Sequence, residues 1–133
     1  MNRLNIGIAV FILIALEAIA YAVEIMFRHG FDTAWPTHAR YHLMVSAVQI
    51  VAIAIVSVVI ALTGLRKRSR DSWLALAVLS LITWAGWPLA RLVTGEPTPA
   101  PAILFIAGCL AAVLVALALT YSPCFSKDDG RKP

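Results

Sequence analysis

Four apolar stretches alternate with short polar connectors along the chain, and each is long enough to cross a membrane as a helix. They run over about residues 6–27, 41–65, 73–93 and 102–121. A helix of roughly 20 apolar residues spans the hydrocarbon core of a bilayer, and it satisfies its own backbone groups there. The pattern therefore predicts a single all-α domain, residues 1–121, folded as an integral membrane four-helix bundle. A polar tail, residues 122–133, follows it.

The composition supports the membrane class. The chain has 133 residues, of which 61% are hydrophobic and 14% charged, and its mean hydropathy is +0.85. A water-soluble domain is close to half apolar and a quarter charged. A chain of this length is also too small to bury so much apolar surface in a core of its own. We therefore expect the lipid bilayer to cover the remainder.

The basic residues predict the orientation, because cytoplasmic connectors are enriched in Lys and Arg. With the middle connector placed in the cytoplasm, eight basic residues face inward: Arg3, Arg66, Lys67, Arg68, Arg70, Lys127, Arg131 and Lys132. Three face outward: Arg28, Arg40 and Arg91. Both termini are then cytoplasmic, and a bacterial inner membrane fits this alanine-rich chain. The net charge of +4 reflects this bias and contact with anionic lipid, so we expect no nucleic-acid partner.

The first apolar stretch has one alternative interpretation. Asn2-Arg3, an apolar run and Ala20-Tyr21-Ala22 have the outline of a cleavable signal peptide. The apolar run continues to Phe27, however, and Glu17 interrupts the approach to the small residues. These two features favour a retained first helix.

Ionisable residues inside the first helix predict a functional face. Glu17, Tyr21 and Glu24 follow spacings of four and three, which places them on one side of a helix. At about 1.5 Å per residue, Glu17 lies near the midplane and Glu24 near the outer interface. Such residues are costly in a membrane and mark functional sites by default. We therefore interpret Glu17 and Glu24 as candidate proton donors or acceptors.

Two further helices carry polar stripes at matching depths. The second has His38, His42, Ser46 and Gln49 on one face, and the third ends with Thr83, Trp84, Trp87 and Arg91. The simplest packing turns all three stripes inward, with Glu24 paired to Arg91 and Glu17 meeting Gln49. This arrangement predicts an outward-opening polar pocket lined by Tyr21, His38, Arg40, Gln49, Trp84 and Trp87. The same residues could instead act only as interhelical hydrogen bonds and interfacial anchors.

The connector before the second helix contains the most distinctive motif. Trp35-Pro36-Thr37-His38-Ala39-Arg40-Tyr41-His42 resembles the W-P-x-H-A-R-(F/Y)-H motif of uncharacterised small four-helix membrane proteins. In those families the motif also follows the first helix and opens the second. The resemblance implies the fold and no activity. Pro36 predicts that the second helix begins near Thr37, an N-cap candidate.

The end of this motif is also similar to styrene oxide isomerase, a small four-helix membrane enzyme that binds haem b. There, an A-R-x-H stretch opens the second helix and its histidine is the axial haem ligand. Ala39-Arg40-Tyr41-His42 matches that stretch, so the resemblance implies His42 as the ligand. A five-coordinate haem iron in an apolar pocket would suit opening of an epoxide.

Three functions stay open from the sequence. A membrane isomerase would act on a small apolar substrate, with Glu17 or Glu24 as general acid or base and Arg91 steadying an anion. A non-catalytic scaffold or accessory subunit would use the polar residues for assembly, and the small residues of the fourth helix allow a homo-oligomer. Transport ranks last, because no inverted repeat is evident in the sequence.

Overall fold

The computed structural model describes residues 2–95 and 100–125, without the side chains of Trp87, Ala90, Arg91, Thr94 and Pro101. Within these residues the fold is all-helical, with no strands. Its long helices are α1 (Arg3–Ile25), α2 (Thr37–Ile60), α3 (Arg70–Thr94) and α4 (Ala100–Phe125). Short π-helical turns, Met26–Gly30 and Ala61–Leu65, extend α1 and α2. The predicted four-helix, all-α architecture is therefore confirmed.

Three of these helical segments are long and apolar enough to cross a membrane. They are Arg3–Gly30, Thr37–Leu65 and Ala102–Phe125. Their outer surfaces carry large apolar side chains, with Leu13, Val48 and Leu104 each more than half exposed. This pattern is typical of lipid-facing helices, which stay apolar around their whole circumference. The predicted span 73–93, which lies in α3, stays a prediction.

The helix ends differ from the sequence prediction in two places. Pro36, rather than Thr37, occupies the N-cap of α2, because proline cannot donate a backbone hydrogen bond and precedes the first turn without loss. Helix α4 continues through Pro123 to Phe125, beyond its predicted end at residue 121. Contacts of Phe125 with Trp73 and Tyr121 hold this last turn. The predicted tail from residue 126 onward lies outside the described residues.

Helix α1 is the centre of the bundle and packs against both α2 and α4, while α3 packs mainly on α4. Small side chains make these contacts close. A Cβ added to Gly7 would collide with Cγ2 of Thr120 and lie 3.2 Å from the Ala116 carbonyl oxygen. The buried core cluster contains alanines at positions 15, 18, 54, 61, 77 and 116. Close approach between small residues is the usual basis of helix packing in membranes.

The end of the bundle at which α3 begins is held by an aromatic cluster. The indole Nε1 of Trp73 donates a hydrogen bond to the Leu117 carbonyl oxygen at 3.1 Å, and its ring meets those of Tyr121 and Phe125 edge to face. The Arg70 guanidinium lies 5.0 Å from the Phe125 ring centroid. These contacts join α3 to α4 and leave the opposite halves of α1 and α4 to form a groove.

Candidate functional site: a carboxylate groove between helices 1 and 4

An open groove between α1 and α4 contains the carboxylates that the sequence singled out. Its volume is about 240 Å³, and it is lined by Glu17, Tyr21, Glu24, Ala102, Phe105 and Ile106. The α1 residues share one helical face because of their spacings of four and three. Helix α4 supplies a small residue, Ala102, where the groove opens and an aromatic residue, Phe105, beside Tyr21.

Aromatic rings form one wall of this groove. The rings of Tyr21 and Phe105 stack with centroids 5.8 Å apart and an interplanar angle of 29°. Phe105 in turn meets Trp84 edge to face at 5.8 Å. Offset aromatic pairs at such distances are favourable and rigid. The wall is therefore supported from behind by a buried tryptophan of α3.

The two carboxylates of the groove differ in their partners. Glu24 accepts a charge-assisted hydrogen bond from Nη2 of Arg28 at 2.7 Å, one helical turn later. Glu17 is exposed, and among the described residues no hydrogen bond or ion pair to its side chain is present. Glu17 is therefore the carboxylate that is open to an external cationic or hydrogen-bonding group.

The predicted convergence of polar stripes is wrong for α1 and α2. Gln49 lies on the exposed side of α2 beside Tyr41 and Val48, whereas Glu17 lies in the groove against α4. Glu24 pairs with Arg28, and the predicted partner Arg91 lies outside the described side chains, as does Trp87. The buried residues of α2 are Ala47 and Ala54 instead, because small side chains permit closer packing than amides or carboxylates.

The interior between α1, α2 and α3 contains only weakly polar groups. A cavity of about 30 Å³ there is lined by Ser57, Ser80, Thr83 and Trp84 among apolar residues. Trp84 is 5% exposed, so it lies inside the bundle and not in an outer aromatic belt. Small-molecule sites typically measure about 300–1,000 Å³, which this cavity does not approach. It has room for about two water molecules, and the groove is the better candidate for a ligand.

The histidines of the predicted pocket lie elsewhere, at the start of α2. His38 and His42 are both exposed, and their Nε2 atoms are 3.0 Å apart. Arg40, between them in sequence, donates weakly from Nη2 to the Thr37 hydroxyl at 3.5 Å. His29 stacks on Trp35 in the preceding segment. The second-helix motif therefore forms a surface cluster that is separate from the groove.

A haem group bound through His42 has no support in this arrangement. An axial ligand directs its nitrogen into an apolar cleft that holds the macrocycle. The Nε2 atom of His42 faces that of His38 instead, and its ring meets Tyr41 edge to face. None of the cavities described above is lined by His42. The haem and isomerase assignments stay predictions from the sequence resemblance.

Comparison with known proteins identifies no relative. No protein-family model, no curated protein and no solved structure matches this chain. The function must therefore be inferred from the residues of the groove and of the histidine cluster.

Proposed function

We propose that this chain is an integral membrane protein that binds a small lipophilic cation in the groove between α1 and α4. The observation that carries the proposal is Glu17, an exposed carboxylate without a described partner, beside an aromatic wall in an apolar helix. Both termini would be cytoplasmic, and an inner bacterial membrane would fit the distribution of basic residues.

The position of Glu17 along α1 argues for a charged ligand. The membrane-length segment runs from Arg3 to Gly30, so Glu17 lies near its centre. A charged side chain at the centre of a membrane helix costs roughly 2.5–3.5 kcal/mol on insertion scales. A bound cation would offset this cost. A helix with only a structural role would have no reason to carry such a costly residue at its centre.

The aromatic wall argues for an organic cation. Cations are attracted to aromatic faces within about 6 Å of the ring centroid, and Tyr21 and Phe105 both line the groove. An ammonium group would lie between the Glu17 carboxylate and these rings, while its apolar substituents contact Ile106. The volume of about 240 Å³ is below the roughly 300 Å³ at which typical ligand pockets begin, so the ligand must be smaller than a typical drug molecule.

Acid–base isomerisation of a small apolar substrate, the alternative from the sequence, would use the same carboxylates. Proton transfer requires a carboxyl group held within hydrogen-bond reach of the reacting atom and oriented by neighbours. No such orienting partner of Glu17 is present among the described residues. Glu24 does have an orienting partner, but its carboxylate is paired with Arg28. Attraction to a cation requires only charge and proximity, so the geometry around Glu17 favours binding over catalysis.

The test compares two ligands of the same shape in the purified, detergent-solubilised protein. Benzyltrimethylammonium carries a positive charge, and neopentylbenzene is its neutral carbon isostere. Calorimetry or ligand-observed NMR should detect binding of the cation, and Glu17→Gln should weaken it at least about tenfold because it removes the charge–charge contact. Asp71→Asn, which removes an exposed carboxylate at the start of α3, should leave binding unchanged.

Three results would reject the proposal. Equal affinity for the cation and its neutral isostere would show that charge is not recognised. Unchanged affinity in Glu17→Gln would place any binding outside the groove. If neither compound binds and Glu17→Gln changes only assembly, the scaffold function becomes the leading account.

A further inference from the structure

A second candidate site lies at the start of α2, on the histidine pair His38 and His42. The two side chains are four residues apart and so project from adjacent turns of one face. Their Nε2 atoms are 3.0 Å apart, and the rings are nearly perpendicular with centroids at 4.3 Å. Both residues are exposed. Two imidazole nitrogens therefore lie side by side at the protein surface.

The separation of the two nitrogens is short enough for both to bind one ion. Two metal–nitrogen bonds of about 2.1 Å that meet at a right angle place the nitrogens about 3.0 Å apart, whereas a tetrahedral angle places them about 3.4 Å apart. The observed 3.0 Å is the length of a hydrogen bond between the metal-free rings, and it is also close to the separation of neighbouring positions in a square-planar or tetragonal site. Nitrogen ligands in this geometry are typical of Cu²⁺ and Ni²⁺, and Cu²⁺ binds most tightly of the divalent series.

We propose that His38 and His42 form a two-histidine binding site for Cu²⁺, or for Ni²⁺ with lower affinity. In the metal-free pair, one Nε2–H donates to the other Nε2. On binding, the donor ring exchanges that proton for one on Nδ1 through solvent. Both Nε2 lone pairs then coordinate the metal, and the net charge of the two rings does not change.

Water would complete the coordination. The described residues contain no group of three or more His, Cys, Asp or Glu side chains that could hold a metal, so the protein supplies two ligands. The exposure of both rings leaves the remaining equatorial positions open to solvent. Such a site exchanges its water ligands readily, and it is unlike a closed structural site with four protein ligands.

Two features give the pair a fixed position. Pro36 caps the helix, so His38 and His42 occupy its first two turns. The ring of Tyr41 contacts His42 edge to face at 5.5 Å. His29, by contrast, is stacked on Trp35 at 4.7 Å and is engaged outside the pair. The cluster therefore offers a matched control histidine within the same region.

The experiment titrates the untagged protein, residues 1–133, with Cu²⁺ in detergent and follows binding by calorimetry and pulsed electron paramagnetic resonance. The wild type should bind one ion with two equatorial imidazole nitrogens. His38→Ala and His42→Ala should each leave one imidazole and weaken binding at least about tenfold, the lower end of the loss seen even for outer-shell changes. His29→Ala should retain both the affinity and the two-imidazole signal.

A second variant separates the spacing from the number of histidines. His42→Ala combined with Val45→His keeps two exposed positions on one face, but places them roughly 10 Å apart along the helix. One ion cannot be chelated at that distance, so affinity should match His42→Ala. Wild-type affinity in this double variant, or a one-imidazole signal in the wild type, would overturn the proposal.

Discussion

The groove between α1 and α4 and the interior between α1, α2 and α3 differ in both size and polarity. The groove exposes two carboxylates and measures about 240 Å³, whereas the interior cavity has hydroxyl groups and measures about 30 Å³. Strongly polar residues therefore lie on the outside of this bundle and weakly polar ones on the inside. The difference shows that the helices pack against each other through small side chains. Helix packing therefore does not explain the charged residues on the outer surface.

The strongest way to break this comparison is to disrupt the contact of α1 with α4. Gly7→Leu would insert a side chain where even a Cβ collides with Thr120, so the two helices must separate and the groove is lost. Overpacking by single methylenes already costs about 1–3 kcal/mol, and we expect a larger effect that prevents assembly. Thermal unfolding in detergent, followed by circular dichroism, measures it.

Gly86→Leu serves as the matched control, because nothing lies within 4 Å of a Cβ added there. Its stability should stay within about 0.5 kcal/mol of the wild type, as for other surface substitutions. Similar losses in the two variants would mean that leucine in any of these helices is harmful, and that α1 and α4 are not in close contact.

Trp84→Ala tests the interior and its support of the groove. Large-to-small changes in water-soluble cores cost about 3–5 kcal/mol for tryptophan, but lipid or detergent takes up apolar surface and lowers that cost. We expect a loss of about 2–3 kcal/mol, measured by equilibrium unfolding in mixed micelles. Because Trp84 backs Phe105, cation binding should also weaken. Unchanged binding would show that the aromatic wall of the groove does not depend on Trp84 for support.

Glu17→Leu should change stability in the opposite direction. Removal of a charged group from the centre of a membrane helix should favour insertion by about 2 kcal/mol, while cation binding is abolished. An insertion assay that reports the membrane-integrated fraction measures the first effect. A loss of insertion would contradict the external, functional position of this carboxylate and favour an assembly role.

The smallest expected effect concerns the ion pair of Glu24 and Arg28. The two side chains are 52% and 70% exposed, and exposed helical pairs four residues apart contribute about 0.3–0.5 kcal/mol. Arg28→Gln should therefore barely change stability in detergent. It should strengthen cation binding slightly, because it frees the Glu24 carboxylate. Weaker binding would show that Arg28 positions Glu24 for the ligand.

The helices could be predicted from the sequence, but their rotations could not. The lengths of the apolar stretches placed α1 to α4 within a few residues, because the dimension of a bilayer sets that length. The polar faces of the helices were predicted to point inward. Gln49 and Glu17 are both exposed instead. Both the buried and the exposed sides of these helices are mostly apolar, so hydrophobic contrast does not separate core from lipid. Side-chain size decides instead, and Gly7 with the buried alanines was the signal that could have identified the contact faces.

The histidine pair was visible in the sequence as a spacing of four, but its geometry was not. That spacing places two residues on adjacent turns, and it does not determine whether their rings converge or diverge. Pro36 determines where the helix begins, and the neighbouring Tyr41 ring contacts His42. Such contacts set the side-chain rotamers of the two histidines, and a sequence spacing does not predict rotamers.

The contact of Gly7 with Thr120 has a consequence for biosynthesis. It joins α1 to α4, so α1 has no permanent neighbour on that side until α4 has also left the ribosome. Chains are synthesised at about 5–20 residues per second, and for several seconds the Glu17 face of α1 must be accommodated by the insertion machinery or by lipid. A chain truncated before Ala100 would keep this face uncovered, which makes it a natural target for membrane quality control.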